Sequence, residues 1–130
     1  MIGLDTNVLV RYIVQDDAEQ AARATAIIEN LSDESQGFVS VVVVELNWVL
    51  RRAYAAGDTA IAGVIRTLLD STEIVAQDAD AVRRALDRTG GSDEFPDALI
   101  AELGHQAGCA HTVTFDRVAA RVPFMTLISP

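Results

Sequence analysis

The sequence predicts an α/β fold in which a short, mostly parallel sheet is covered by helices on both faces. Three observations predict it. Apolar runs of strand length alternate with longer segments whose apolar residues recur at helical spacing, the signature of strand–helix–strand units. Turn signals at Gly37, Ala56-Gly57-Asp58, Gly90-Gly91 and Gly108 fall at short intervals, and no repeat, low-complexity tract or Pro/Gly/Ser-rich linker divides the chain. A chain of 130 residues that is 50% hydrophobic suffices for one sizeable core, so residues 1–130 are expected to form a single domain.

Met1–Leu4 is a short apolar run of the kind a buried parallel strand shows, and Asp5-Thr6-Asn7 leads from it into a helix over Val8–Val14. Residues 17–31 place Ala18, Ala21, Ala22, Ala26, Ile27 and Leu31 at helical spacing behind a cap at Asp16 or Asp17. Gly37-Phe38-Val39 reads as the next strand. The valines Val41–Val44 favour a strand by propensity, whereas Glu45-Leu46-Asn47-Trp48-Val49-Leu50 favours a helix by pattern. The helix is preferred, because Ser40 suits an N-cap and positions 42, 45, 46, 49 and 53 share one face that includes Glu45. A helix over 58–71, a strand over 73–76 and a helix over 78–89 follow, with Asp78 near the start of the last. After Gly90-Gly91, Pro96 suits the first turn of a helix that runs to Ala107, with Leu99, Ile100 and Leu103 facing inward and Gly108 ending it. Strands at His111–Thr114 and Met125–Ile128 flank a short helix over Asp116–Arg121.

The net charge of −9 opposes the basic face that phosphate neutralisation normally requires. Against that, all the basic residues are arginine, the side chain best suited to bidentate phosphate contact. The lack of lysine argues against a P-loop, a phosphoryl-accepting receiver domain and an aspartate-nucleophile phosphatase, each of which uses a lysine on the phosphoryl group. Cys109, the single cysteine, has no disulfide partner and no zinc-ligand neighbours, and is expected as a small buried side chain. His105 and His111 also lack ligand-spaced neighbours and are expected at or near the surface. Trp48 is expected in the core or at a dimer contact rather than as a base-stacking platform. No run approaches the roughly 18 apolar residues of a membrane span and no signal-peptide cleavage pattern is present, so a cytoplasmic protein is expected.

Four acids stand against apolar runs in which a lone charge would be costly: Asp5 in GLDTNVLV, Glu45 in VVVVELNWVL, Asp97 in FPDALIAEL and Asp116 in VTFDRVAA. In an open parallel sheet the ligand lies at the carboxyl ends of the strands. Asp5 closes the first strand, Asp116 follows the fourth, and Glu45 and Asp97 fall in first turns of helices, so one convergent acidic pocket is expected. Its like charges would repel unless a cation sat among them, and oxygen donors without a histidine or thiolate cluster point to Mg²⁺ or Mn²⁺. Each acid has a plainer explanation as a helix cap or first-turn charge, and Glu45 could pair with Arg11 or Arg52. Capping does not account for Glu45 in a set of four. Asp93 fits a solvated cap better than a fifth acid of the pocket. Arg11, Arg52, Arg117 and Arg121 are candidates for contact with nucleic-acid phosphate, while Arg51 and Arg83-Arg84 are expected on solvated helix faces.

From IGLDTNVLV through VELNWVLRR and FPDALIAELGHQAGC to HTVTFDR, the whole chain resembles the PIN-domain ribonucleases, and among them the VapC-type toxins of bacterial toxin-antitoxin pairs. The resemblance implies a three-layer α/β/α domain and a metal-dependent endonuclease acting on RNA, which is then the nucleic acid that Arg11, Arg52, Arg117 and Arg121 would contact. It makes Asp5, Glu45, Asp97 and Asp116 the metal-binding quartet, with Asn7 and Thr114 as polar supports. It also implies a cognate antitoxin that wraps the enzyme and inserts a segment, often with an arginine, into the acidic pocket, and a homodimer. The chemistry would be in-line attack by a metal-activated water, with no covalent nucleophile. The rival reading is a catalytically silent module of the same fold whose acidic pocket docks a basic partner segment. A phosphatase using Asp5 as nucleophile is weakened by the missing lysine and by Asn7 where a second aspartate would act as the acid.

Overall fold

A computed structural model describes residues 1–128, a three-layer α/β/α arrangement of very short strands and six α-helices. In chain order these are β1 (Ile2–Gly3), α1 (Thr6–Val14), α2 (Ala18–Glu29), β2 (Gly37–Val39), α3 (Val42–Tyr54), α4 (Asp58–Asp70), β3 (Ile74–Ala76), α5 (Ala79–Thr89), α6 (Phe95–Gln106), β4 (Thr112–Thr114) and β5 (Met125–Leu127). A single 3-10 turn at Ala119–Arg121 precedes β5.

All strand pairs are parallel, as the alternation of elements predicts, but they form two sheets rather than one. β1, β2 and β3 pair in that order, with Ile2 opposite Gly37 and Gly37 opposite Ile74. β4 and β5 pair separately, Thr112 opposite Met125. Strands of two or three residues leave few ladder groups, and β1 spends its own on β2: Ile2 N donates to Gln36 O and Leu4 N to Phe38 O, both at 2.9 Å. A Cβ at Gly37 would come within 2.8 Å of Leu4 Cδ1 and 2.9 Å of Leu31 Cδ1, side-chain ends that would have to shift to admit it.

The core lies between the first sheet and α1, α3, α4, α5 and α6, and is filled by Leu9, Val39, Leu46, Ile61, Ile65, Leu86 and Phe95. Several helix faces differ from expectation. On α2 only Ala21 and Ala24 are buried, while Ala18, Ala22, Ala26 and Ile27 are exposed. That helix packs chiefly on α1, and one partner covers a narrow stripe. The buried face of α3 is Val42, Val43, Leu46, Asn47 and Leu50, which leaves Glu45 at its solvent edge. Ser40 does not cap α3; the cap position is Val41, helical itself and without a side-chain bond. α1 starts earlier than expected, at Thr6, because Asp5 takes the cap position.

On α6, Ile100 is 54% exposed, and Phe95, Ala98, Leu99, Ala101 and Glu102 face inward. Glu102, only 2% exposed, is held by α5: it accepts from Arg84 Nε at 2.9 Å and from Arg88 Nε at 2.7 Å. Two guanidiniums satisfy both carboxylate oxygens, the condition under which a buried charge is tolerated. Cys109 is exposed rather than buried, because the chain turns away from α6 at Gly108. Trp48 is 57% exposed and is not a core residue. Among the described residues, no helix is long and apolar enough to cross a membrane.

Candidate active site

Asp5 leaves the β1–β2 pairing in extended conformation (φ −84°, ψ 162°) and caps α1, its Oδ1 accepting from Thr6 N at 2.8 Å. Glu45 occupies the first turn of α3. The two line one open cleft of about 310 Å³ with Thr6, Asn7, Arg11 and Tyr54. Neither acid has an ion-pair partner among the described residues. Arg11, a candidate partner for Glu45, instead pairs with Asp16 at 3.0 Å and donates to Gln20 at 2.7 Å. Tyr54 completes that set by donating to Asp16 at 2.8 Å, and this bond, followed by the charge of Arg11, holds the Asp16 carboxyl below its ordinary range.

Asp97 lies half-buried in the first turn of α6, behind Pro96. Burial first, then the charges of Asp116, Glu94 and Asp93, raise its carboxyl above the ordinary value. Asp116 is exposed and built into its turn. Its Oδ1 accepts from Val118 N at 2.8 Å and Ala119 N at 3.2 Å, while its own N–H donates to Thr114 Oγ1 at 3.0 Å. Those bonds give a local turn in place of the helix expected over 116–121, so only Ala119–Arg121 is helical.

The structure thus brings Asp5, Glu45 and Asn7 to one cleft, and sets Asp97 within electrostatic reach of Asp116 and Asp93. It does not gather them into a single cluster. Among the described residues, no group of three or more His, Cys, Asp or Glu side chains stands close enough to hold a metal ion. Coulombic repulsion acts over distances far longer than the roughly 2.0–2.6 Å of Mg²⁺ or Ca²⁺ ligation, so carboxylates can crowd one another without converging on one point. The donor chemistry nonetheless fits a hard divalent cation: every acid offers oxygen, and the buried Thr6 Oγ1 beside Asp5 has no hydrogen-bond partner.

Three contributors were not foreseen. Glu94, directly before α6, adds to the negative field on Asp97. Asn47, 2% exposed, donates from Nδ2 to Gly91 O at 3.2 Å and Ser92 O at 3.4 Å, and so joins α3 to the loop that launches α6. Arg51 also donates to Gly91 O and pairs with Asp58 at 2.7 Å, so it is no solvated face residue. A polar side chain inside an apolar helical run was the available signal for Asn47. Arg11 is committed as described, while Arg52, Arg117 and Arg121 have no carboxylate partner among the described residues; every other arginine is in an ion pair. A larger groove of about 490 Å³ between α1, α2 and α4 is lined mainly by Leu9, Ile13, Ile28, Val64 and Leu68, with Tyr12 at its wall and no carboxylate, histidine or arginine among its lining residues.

No curated protein matches the sequence. A protein-family profile described as the PIN domain matches residues 2–125, nearly the full chain, and its span takes in all four of Asp5, Glu45, Asp97 and Asp116. With that match and the α/β/α layers around short parallel strands, the chain belongs to the PIN-domain family, a family with a nuclease fold.

Proposed function

We propose that this chain is a metal-dependent endoribonuclease that hydrolyses RNA phosphodiester bonds, and the toxin of a toxin-antitoxin pair. The observation that carries the reading is the setting of Asp97, where burial is joined by the charges of Asp116, Glu94 and Asp93, all negative. A structural acid buried for stability is given a cation or donors, as Glu102 is by Arg84 and Arg88. Like charges left facing one another are what a divalent ion relieves.

Asp5, Glu45, Asp97 and Asp116 would hold Mg²⁺ or Mn²⁺, with Asn7 and Thr114 in support and Asp93 at the rim. When bound, such an ion polarises the scissile phosphate and lowers the pKa of a water. The chain itself supplies the positioning. Asp116 is fixed by its turn, Asp5 by its cap, and the Asn47 amide sets α6 against α3, so that the acids of both helices keep their places. Arg52, Arg117 and Arg121, without a carboxylate partner among the described residues, are the guanidiniums that would meet phosphate. The partners implied are a cognate antitoxin, whose arginine-bearing segment would enter the acidic cleft, and a second copy in a homodimer, with RNA as substrate in the cytoplasm.

The test uses purified protein free of antitoxin and a mixed pool of structured RNA, with Mg²⁺, Mn²⁺ or chelator. Metal-dependent cleavage is expected, and Asp97→Asn or Glu45→Gln should lower it by roughly two or more orders of magnitude. Cuts that persist in chelator or in both variants would remove the support for catalysis here. A silent docking module would show no cleavage, and Glu45→Gln would weaken its basic partner by about 1–3 kcal/mol.

A further inference from the structure

We propose that Trp48 and Arg52, on the outer face of α3, form a stacking platform for unpaired bases of single-stranded RNA. The proposal rests on the ribonuclease reading and specifies where its substrate lies. Trp48 is 57% exposed, and it is the single tryptophan of the chain. Arg52, one helical turn further on, sets its guanidinium carbon 5.5 Å from the centre of the Trp48 ring. An indole so exposed, carrying a cation with no carboxylate partner among the described residues, has the composition of a base-binding surface. Aromatic stacking accepts any base because each has a π-face, and the guanidinium meets the phosphate.

Its placement fits a substrate strand. Trp48 and Arg52 border a hollow of about 420 Å³ shared with Asn47, Arg51, Asp93 and Pro96. Pro96 adjoins Asp97 in the chain, and Glu45 lies one turn before Trp48 on the same helix. A base held on the indole would therefore sit beside the acids proposed to cut its backbone. Charge complementarity selects RNA over a second copy of the chain. In a protein of net charge −9, most arginines are neutralised by ion pairs, yet this rim keeps one, Arg52, with no carboxylate partner among the described residues. A twofold self-contact centred on the indole would set Arg52 against Arg52. The stack needs unpaired bases, so duplex RNA is excluded from it.

Because Trp48 is the single tryptophan, its emission reports this site. The wild-type protein is titrated in chelator, where metal-dependent cleavage is off, with a labelled single-stranded RNA of about 12 nucleotides, within the range of site sizes known for single-strand binding. The same strand annealed to its complement is the second arm. Saturable quenching by the single strand and little by the duplex are expected. Trp48→Ala should weaken single-strand binding, read by anisotropy of the label, by roughly 5- to 150-fold, and Trp48→Phe should restore most of it. Bound RNA with unchanged emission and unchanged Trp48→Ala affinity would overturn the platform and leave the nuclease reading intact. Quenching followed by no cleavage on addition of Mn²⁺ would support the platform and sink the nuclease reading. Absence of binding overturns the platform, as does an emission that follows protein concentration alone while Trp48→Ala converts a dimer to a monomer, which would assign the face to a second copy.

Discussion

The side-chain amide of Asn47 reaches from α3 to the carbonyl of Gly91, 44 residues along the chain and buried from solvent. One hydrogen bond thereby spans the helix that carries Glu45 and the loop that leads to Asp97. Asn47→Ala removes the donor, while Gly91 O keeps the Arg51 guanidinium and Ser92 O keeps the Phe95 N–H, so unfolding in urea should show a loss of about 0.5–1.5 kcal/mol. On the proposed ribonuclease reading, cleavage at saturating metal should fall with it, because α6 loses part of its reference to α3. A variant with wild-type stability and activity would show the bond to be incidental.

Gly91 is where the same loop comes closest to α4. At φ +82° a Cβ would lie 2.4 Å from Asp58 O and 2.8 Å from Ala62 N, and neither backbone atom can swing aside. Gly90 also has positive φ (+62°) but nothing within 4 Å of its Cβ position. Gly90→Ala should therefore cost about 1 kcal/mol for the left-handed backbone alone, and Gly91→Ala should cost at least twice as much. Equal losses in paired denaturation curves would contradict the close approach.

Asp97 makes stability depend on pH. Its folded-state pKa is raised, so the neutral carboxyl is the form the fold prefers. The stability linked to it is fully present below the ordinary carboxylate range and is lost as pH rises through the raised value. In metal-free buffer at neutral pH, Asp97→Asn should melt above the wild type, and the gap should close as the pH falls into the carboxylate range. Added Mn²⁺ should raise the melting temperature of wild type more than that of the variant. A variant less stable than wild type at neutral pH would be inconsistent with a crowded, ionised Asp97.

Glu102 shows the opposite arrangement, a buried acid with two cations. Glu102→Ala should destabilise by about 2–4 kcal/mol, below the usual range for breaking a buried pair because Arg84 and Arg88 are 46% and 39% exposed and can rehydrate. Arg84→Ala and Arg88→Ala should each cost less, since the carboxylate keeps one partner. The double variant should cost more than their sum, and a strictly additive cycle would argue against a shared buried charge.

The order of elements was legible because strand-length apolar runs and helical spacing differ in period, and because Gly90-Gly91 and Pro96 punctuate the chain. Which face of each helix turns inward was less legible. α6 reads FPDALIAELGHQ, apolar on several sides, and periodicity alone could not prefer Phe95 and Ala98 over Ile100. A burial rule that expels charge would also put Glu102 outside; only the arginines of a neighbouring helix make its inward place tolerable. The four candidate acids were visible as charges set against apolar runs, whereas their spacing was not, because it depends on loops whose geometry arises from local bonds such as those of Asp116. The core setting that was one expectation for Trp48 fails for a related reason: aromaticity favours burial only on average, and this indole is 57% exposed.

The short strands have a consequence for how the chain folds. Pairing Ile2 with Gly37, and Gly37 with Ile74, closes loops of some three dozen residues each for only two or three ladder residues per strand. The α5–α6 hairpin is local and already contains the Glu102 clamp. Loop-closure entropy therefore favours a nucleus in that hairpin, with strand registry acquired late. Truncating Ala85 or Ala98 to glycine should slow refolding, whereas Val39→Ala should chiefly speed unfolding; the reverse pattern would place the nucleus in the sheet. If the hairpin forms first, α6 exists before β1 is in register, and Asp97 waits on its helix for Asp5 to arrive.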